Sequence, residues 1–417
     1  MAEQRRFTFA EAVATILNES RHGRRIVAVP IREAAGMVLA EEARSDVDMP
    51  AFDRASMDGF AFRHTDATPA TAELRVVATI AAGDWSEARL GPGECVAIMT
   101  GAPVPDDADT VVPIEETSAL GREASAPAPE AISLARVPPK GSHIAPRGQD
   151  VRRDQVVLTE GRRLRAQEIA ILASIGYRAV PVYAGPTIAY AATGEELVEP
   201  GEPLRPGAIR NANAYSLGSQ ILTARALPHY LGILRDRPEE LRAKIEEGLE
   251  RDLLVISGGV SMGQFDLVPG VLETLGVRIH FRRLLVRPGQ PTVFGVRDRG
   301  ERRTLVFGLP GNPISTWLAF DQYVAPAVRV FRGDQPALMP VLQGELTDTV
   351  RKNPAFLTLV PCAVEWSEDR YRLVPRRFHG SADILAVAGA NAVAYLPHGP
   401  EEIAAGTRVD FRMMHQA

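Results

Sequence analysis

Between Pro186 and Phe331 the chain alternates short apolar runs with amphipathic stretches, and this alternation restricts its fold more than any other feature. "PTIAYAATG" reads as a strand ending in Thr-Gly, and "PEELRAKIEEGLER" as an amphipathic helix with Pro in its first turn. "DLLVIS" is the next strand and "LVPGVLETLG" a short helix. "TLVFGLPGNP" is a strand running into a turn, followed by the long apolar helix "ISTWLAFDQYVAPAVRVF". Such alternation predicts a parallel sheet with helices on both faces.

The flanking segments read differently. Thr8 and Glu11 make a capping box, so a helix is expected over "FAEAVATILNES". A second helix is expected over "IREAAGMVLAEEA" and a third over "RAQEIAILASIG", which stops at Gly176. Between them "DVDMPAFDRASMDGFAFR" is polar and aperiodic, a long loop of the kind that carries function. "LRVVATI", "CVAIM", "TVVPIEE" and "AISLARV" are β-type runs punctuated by Gly, Pro and Ser, which predicts a small β domain with "EASAPAPE" as a surface loop. After Gly333 the text is β-like again, in "LTLVPCAVEW", "YRLVPRR", "AVAYLP" and "RVDFRMM".

Composition narrows the function classes. With 47 Lys and Arg against 52 Asp and Glu, a net charge of -5 argues against a general nucleic-acid binder. The two cysteines, Cys95 and Cys362, stand far apart and form no zinc or disulfide pattern. No signal-peptide core appears at the N-terminus, and no apolar run approaches the ~20 residues of a membrane span. The expectation is a soluble, cytoplasmic protein without a membrane or nucleic-acid partner.

Three turns stand where strands end: "AATGEEL", "VISGGVSMGQFD" and "VFGLPGNPIS". In open α/β sheets, ligands bind at the carboxyl ends of the strands. Gly258 and Gly259 let a ligand approach backbone N–H groups, and Ser257 and Ser261 add hydroxyl donors. The stretch therefore reads as a phosphate cradle, although it lacks the lysine of a P-loop; a tight strand-to-helix connection is the plainer alternative. In "GLPGNP", Pro310 and Pro313 fix φ, Gly311 frees it, and Asn312 is placed to cap the next helix, which suggests a rigid, pre-shaped pocket wall.

The acids carry rival readings. Asp236 and Asp266 are placed to cap helices, and Asp58-Gly59 to form a simple turn. Glu196 follows a strand end, a position that favours ligand contact. Together these carboxylates suggest a divalent cation, because hard oxygen ligands plus substrate phosphates are the usual surroundings of Mg²⁺. Arg282, Arg283 and Arg287 offer planar forks to oxyanions.

"PAFDRASMDGFAFR", "MTGAPVP", "TGEEL", "SGGVSMGQFD", "RPGQPTVFG" and "GLPGNPIS", in that order, closely resemble the MoeA family of molybdopterin molybdenumtransferases, to which the gephyrin E domain belongs. The resemblance implies an α/β multidomain homodimer with four domains. These are a helical and extended linker domain (1–50 with 141–180), a β-rich domain (51–140), a MogA-like molybdopterin-binding α/β domain (181–332) and a C-terminal β domain (333–417). It implies that adenylylated molybdopterin and molybdate are the substrates, that Mg²⁺ is the cofactor, and that AMP is released. It places functional acids at Asp58, Asp150, Glu196, Asp236 and Asp266, with metal ligation by the last three. It further places a functional threonine at Thr100, important prolines at Pro310 and Pro313, and a serine at Ser381. Arg283, Arg287 and Ser381 become the candidates for molybdate. A MogA-like adenylyltransferase and acceptor molybdoenzymes are the implied partners. The chain departs from the family pattern at "RPGQP", where Arg287 and Gln290 replace lysines, and at Glu195 and Asn211, which replace aspartates. These changes leave room for a paralogue with altered oxyanion preference; a non-catalytic carrier or scaffold, in the manner of gephyrin's clustering role, is the other alternative, and the presence of Asp58, Asp150, Glu196 and Asp266 together favours the enzyme.

Overall fold

The structure, a computed structural model, describes residues 5–67, 73–85, 89–119, 121, 128–260, 267–300 and 302–414. Its packing divides the chain into two compact units. The larger holds the residues up to Ala40, Gly161–Leu164 and those from Val180 onward; the smaller holds Glu41–Glu160 and Arg165–Ala179.

The larger unit is built on a six-stranded sheet. Its order is Leu227–Leu234, Thr187–Thr193, Leu253–Ser257, Arg302–Leu309, Val293–Arg299, Arg278–Phe281. The first four strands are parallel, as the alternation predicts. The last two are each antiparallel to the preceding strand: Val293–Arg299 runs against Arg302–Leu309, and Arg278–Phe281 runs against Val293–Arg299. Leu253 to Ile256 are fully buried, since helices cover both faces. Leu253 and Val255 point into one core, with residues of helices Phe9–Ser20, Ala212–Thr223 and the run Pro313–Phe331. Leu254 and Ile256 point into the other, against Pro238–Gly248 and Val268–Thr274.

Helix Phe9–Ser20 carries its predicted capping box: Thr8 accepts from the Glu11 N–H, and Glu11 accepts from the Thr8 N–H at 2.9 Å. The helix expected over "IREAAGMVLAEEA" does not form. Only a single 3₁₀ turn, Ile31–Glu33, is present. Gly36 takes φ +75, and Val38 and Leu39 pair with Arg163 and Val182 as β-bridges, so tertiary pairing overrides the apolar spacing. The long apolar helix is interrupted by a π-helical turn, Phe320–Val324, that its sequence pattern does not announce.

Beyond Gly333, five strands close on themselves in the order Leu357–Ser367, Arg370–Pro375, Leu342–Leu346, Arg408–Met413, Ala392–Leu396 and back to the first. Closure removes the free edges and buries Leu373, Leu396 and Phe411 completely.

The smaller unit holds a five-stranded sheet ordered Thr110–Pro113, Gly59–Phe62, Glu94–Ile98, Glu73–Ile80, Ala131–Ser133, with apolar clusters on each face. Its helix Ala166–Ser174 ends before Gly176, at φ +91. Most of "EASAPAPE" lies outside the described residues. Among the described residues, no helix is long and apolar enough to cross a membrane.

Candidate functional site

The residues that follow all four parallel strands converge on one cavity of about 310 Å³. Thr193, Gly194 and Glu196 come from the end of Thr187–Thr193, and Asp236 from just past Leu227–Leu234. Gly258, Gly259 and Val260 follow Leu253–Ser257, while Pro310 and Gly311 follow Arg302–Leu309. Pro291, from "RPGQP", completes the wall.

Each turn has a local cause. Gly258 and Gly259 have φ +90 and +63, where side chains are strained, and a Cβ on either would meet Thr193 at 2.8 Å. The Gly258 N–H donates to the Leu309 carbonyl at 3.0 Å, tying the two glycine turns together. Gly194 leaves room for Glu196: a Cβ there would meet the Glu196 carboxylate at 2.5 Å. The Arg235 guanidinium donates to the carbonyls of Gly194, Glu195 and Leu197 at 2.9 to 3.0 Å, which holds the loop bearing Glu196.

Ser257 is buried, and its hydroxyl is engaged below the turns rather than in the cavity wall. It donates to the Pro310 carbonyl at 3.1 Å and accepts from Asn213 at 2.8 Å. Asn213 also donates to the Gly311 carbonyl at 2.7 Å, so the helix Ala212–Thr223, the glycine turn and "GLPGNP" share one hydrogen-bonded node. Asn312 occupies the N-cap position of Pro313–Ala319 without a side-chain cap bond; its amide donates to Ser381 Oγ at 2.7 Å instead. Asp236 does not hold the N-cap position expected for it. Arg237 is the N-cap of Pro238–Gly248, and Glu195, one of the departures from the family pattern, accepts the Asp236 N–H at 3.1 Å. Ser261 and Asp266 lie outside the described residues.

The smaller unit holds a second group. Asp58 accepts from the Thr100 N–H at 2.6 Å and from its hydroxyl at 2.8 Å. These bonds, the backbone one first, hold the Asp58 carboxyl below the ordinary aspartate range. Asp58-Gly59 is therefore more than a turn. Gly59 opens a central strand, and a Cβ on it would meet the Val112 carbonyl oxygen at 1.9 Å. Asp150 is exposed, with Arg54 at 4.0 Å.

Sequence comparison then identifies these shapes. The pattern described as "MoeA N-terminal region (domain I and II)" matches residues 7–176, "Probable molybdopterin binding domain" matches 189–330, and "MoeA C-terminal region (domain IV)" matches 343–413. The chain belongs to the MoeA family. It is 34% identical over 394 residues to the molybdopterin molybdenumtransferase of Bacillus subtilis, covering 93% of this chain and 90% of that protein. It is 30% identical over 408 residues to that of Staphylococcus aureus strain Mu50, covering 96% and 94%. The solved molybdopterin biosynthesis MoeA protein of Pyrococcus horikoshii superposes with a TM-score of 0.82 at 27% identity, covering 99% of this chain and all of that one.

In this MoeA chain, Arg283 and Arg287 precede Pro291 in sequence, and neither is among the residues that line the cavity. The Arg287 guanidinium lies 4.3 Å from the ring centre of Phe356. Asn213 and Arg235 are the residues to which motif reading gave no role. They sit beside the motifs, and only the three-dimensional packing shows that they hold the turns.

Proposed function

We propose that the chain is a molybdopterin molybdenumtransferase that takes adenylylated molybdopterin and molybdate, cleaves the pyrophosphate link and releases AMP. The observation that carries this reading is the cavity at the carboxyl edge of the sheet, where glycine turns and two carboxylates meet. The Gly258–Gly259 and Pro310–Gly311 turns form walls without side chains, against which a phosphate-bearing pterin can lie.

Glu196 and Asp236 supply hard carboxylate oxygens at this cavity. Among the described residues, no group of three acids, histidines or cysteines is placed to hold a metal. Two carboxylates fit Mg²⁺, which commonly keeps several waters and binds substrate phosphates. Glu196 and Asp236 would hold it, with Asp266 assigned alongside them by the family resemblance. When bound, the ion would neutralise charge on the phosphate oxygens. Arg235 keeps the Glu196 loop in place for that contact.

Molybdate is a tetrahedral dianion and needs its own donors. Arg283 and Arg287 supply guanidinium forks. Ser381 Oγ already accepts from Asn312, which leaves its hydroxyl proton for an oxyanion. In the smaller unit, the Asp58–Thr100 pair and Asp150 are proposed to act on the same substrate, within a homodimer.

The decisive assay incubates the purified protein with adenylylated molybdopterin, Mg²⁺ and molybdate. AMP release with molybdenum bound to the pterin is the expected result. Tight pterin binding without AMP release would instead make the chain a carrier and overturn the enzymatic reading.

A further inference from the structure

A second, larger cavity of about 520 Å³ lies at the opposite edge of the same sheet. It is lined by Thr187 and Asp252, where parallel strands begin, and by Thr304 near the start of a third, whereas the first cavity lies where those strands end. The segment after helix Phe9–Ser20 and the hairpin Val293–Leu309 provide its other walls. Thr304 Oγ shares its one proton between the Leu249 and Arg251 carbonyls, at 2.9 and 2.8 Å, which ties the cavity floor together.

Six arginines face this cavity, and they fall into two groups. Arg25 pairs with Asp252 at 2.7 Å, Arg299 with Glu250, and Arg303 with Glu19 and Asp298 at 2.6 Å each. Arg24, Arg251 and Arg302 have no carboxylate partner among the described residues. Among the described residues Arg24 donates to the Val330 carbonyl, at 3.0 Å, and it lies 5.1 Å from the Tyr183 ring centre. The Nε of Arg251 is buried beneath the cavity surface, without an acceptor among the described residues. Because Arg303 takes two carboxylates, the six arginines and their four partners leave a net charge of +2, and +1 if Glu301, adjacent in sequence, offsets Arg302.

We propose that this cavity is a binding site for a phosphate-bearing small molecule of nucleotide size. Guanidinium forks match phosphate oxygens in geometry and charge. The volume falls within the range of roughly 300–1,000 Å³ typical of small-molecule sites. The site is separate from the carboxyl-edge cavity and does not depend on the reaction proposed for that cavity.

The test is calorimetric titration with inorganic tripolyphosphate at fixed, moderate salt. Four proteins are compared: wild type, Arg302→Gln, the Arg251→Gln/Arg302→Gln double variant, and Gly311→Ala, which alters only the first cavity. The double variant is expected to bind at least tenfold more weakly, with an unchanged melting temperature, while Gly311→Ala binds as wild type does. Arg302 is exposed, so Arg302→Gln alone keeps the test available if the double variant does not fold, and at least a threefold weakening is then expected. Wild-type affinity in the arginine variants would overturn the proposal. Loss of binding in Gly311→Ala would also overturn it, by assigning the anion to the first cavity. Binding of hexaglutamate without any binding of tripolyphosphate would overturn it in favour of an acidic protein partner.

Discussion

At the residue scale, the glycines of the first cavity differ in what a substitution there would report. Gly258→Val would strain a φ of +90 and press on Thr193, so loss of binding would not separate ligand contact from damage to the turn. Gly311 is cleaner. Its φ is not in the glycine-favouring region, and an added methyl would stand 3.6 Å from the Gly258 Cα, an ordinary contact. We predict that Gly311→Ala keeps the wild-type melting temperature within about 2 °C and weakens molybdopterin binding roughly tenfold, as one misplaced contact is worth about 1.4 kcal/mol. Unchanged affinity in a fluorescence titration would remove this turn from the binding surface. The Asp58–Thr100 pair makes a second prediction. The Asp58 pKa is lowered below the ordinary 3.8 by its two bonds from Thr100. The stabilisation is therefore present above about 3.8 and is lost as pH falls through the lower, folded-state value. Thr100→Val removes the hydroxyl bond and keeps the backbone bond. The Asp58 midpoint, followed by carboxyl-carbon NMR, should rise while staying below 3.8, and acid unfolding should begin at slightly higher pH. An unmoved midpoint would mean that the hydroxyl does not hold the carboxylate.

At the scale of single elements, both cysteines sit inside sheets. Cys95 lies in Glu94–Ile98 and Cys362 in Leu357–Ser367, each with 0% exposure. Burial pushes both thiols up to about 12, with the neighbouring Glu94 charge adding to the effect at Cys95. At pH 8 each should hold roughly a thousandfold less thiolate than a free cysteine. An aromatic disulfide reagent should therefore leave the native protein unmodified over minutes and label two thiols after denaturation. Rapid labelling of one thiol in the native state would show that its strand opens. Elements also mark how far sequence reasoning reaches. Helix Phe9–Ser20 was legible because Thr8 and Glu11 write its start locally, and the parallel strands because apolar runs alternate with amphipathic stretches. Residues 31–43 misled because Val38 and Leu39 take partners at Arg163 and Val182, far away in sequence. The closed ring of C-terminal strands was invisible for a related reason: two-residue periodicity marks a strand but not its neighbour. At the site, glycine and proline turns were legible from their own chemistry. Asn213, Arg235 and the true partner of Asn312 were not, because each acts on a segment that only folding brings near.

At the scale of the whole molecule, the residues assigned to one reaction are divided between the chain's two units. Asp58 and Thr100 belong to the smaller unit, and Glu196, Asp236 and the glycine turns to the larger. Hydrogen bonds within each unit account for the local order of each group, but none of them dictates whether a working site draws both groups from one chain or from two. Under the proposed homodimer, two-fold symmetry creates two equivalent sites. If each site takes its groups from different chains, Asp58→Ala and Glu196→Ala homodimers are both inactive. A mixed dimer of the two then has one site with both lesions and one with neither. Random exchange makes half the dimers mixed, and half the sites in those dimers are intact, so activity should recover to about a quarter of wild type. The measurement is AMP release after the two variants are incubated under conditions that allow subunit exchange, with mixed dimers counted by native mass spectrometry. Recovery near a quarter places the two groups on different chains. Activity that stays at the level of the parents, with mixed dimers present, builds each site within a single chain, because every chain in the mixture then carries one lesion in its own site.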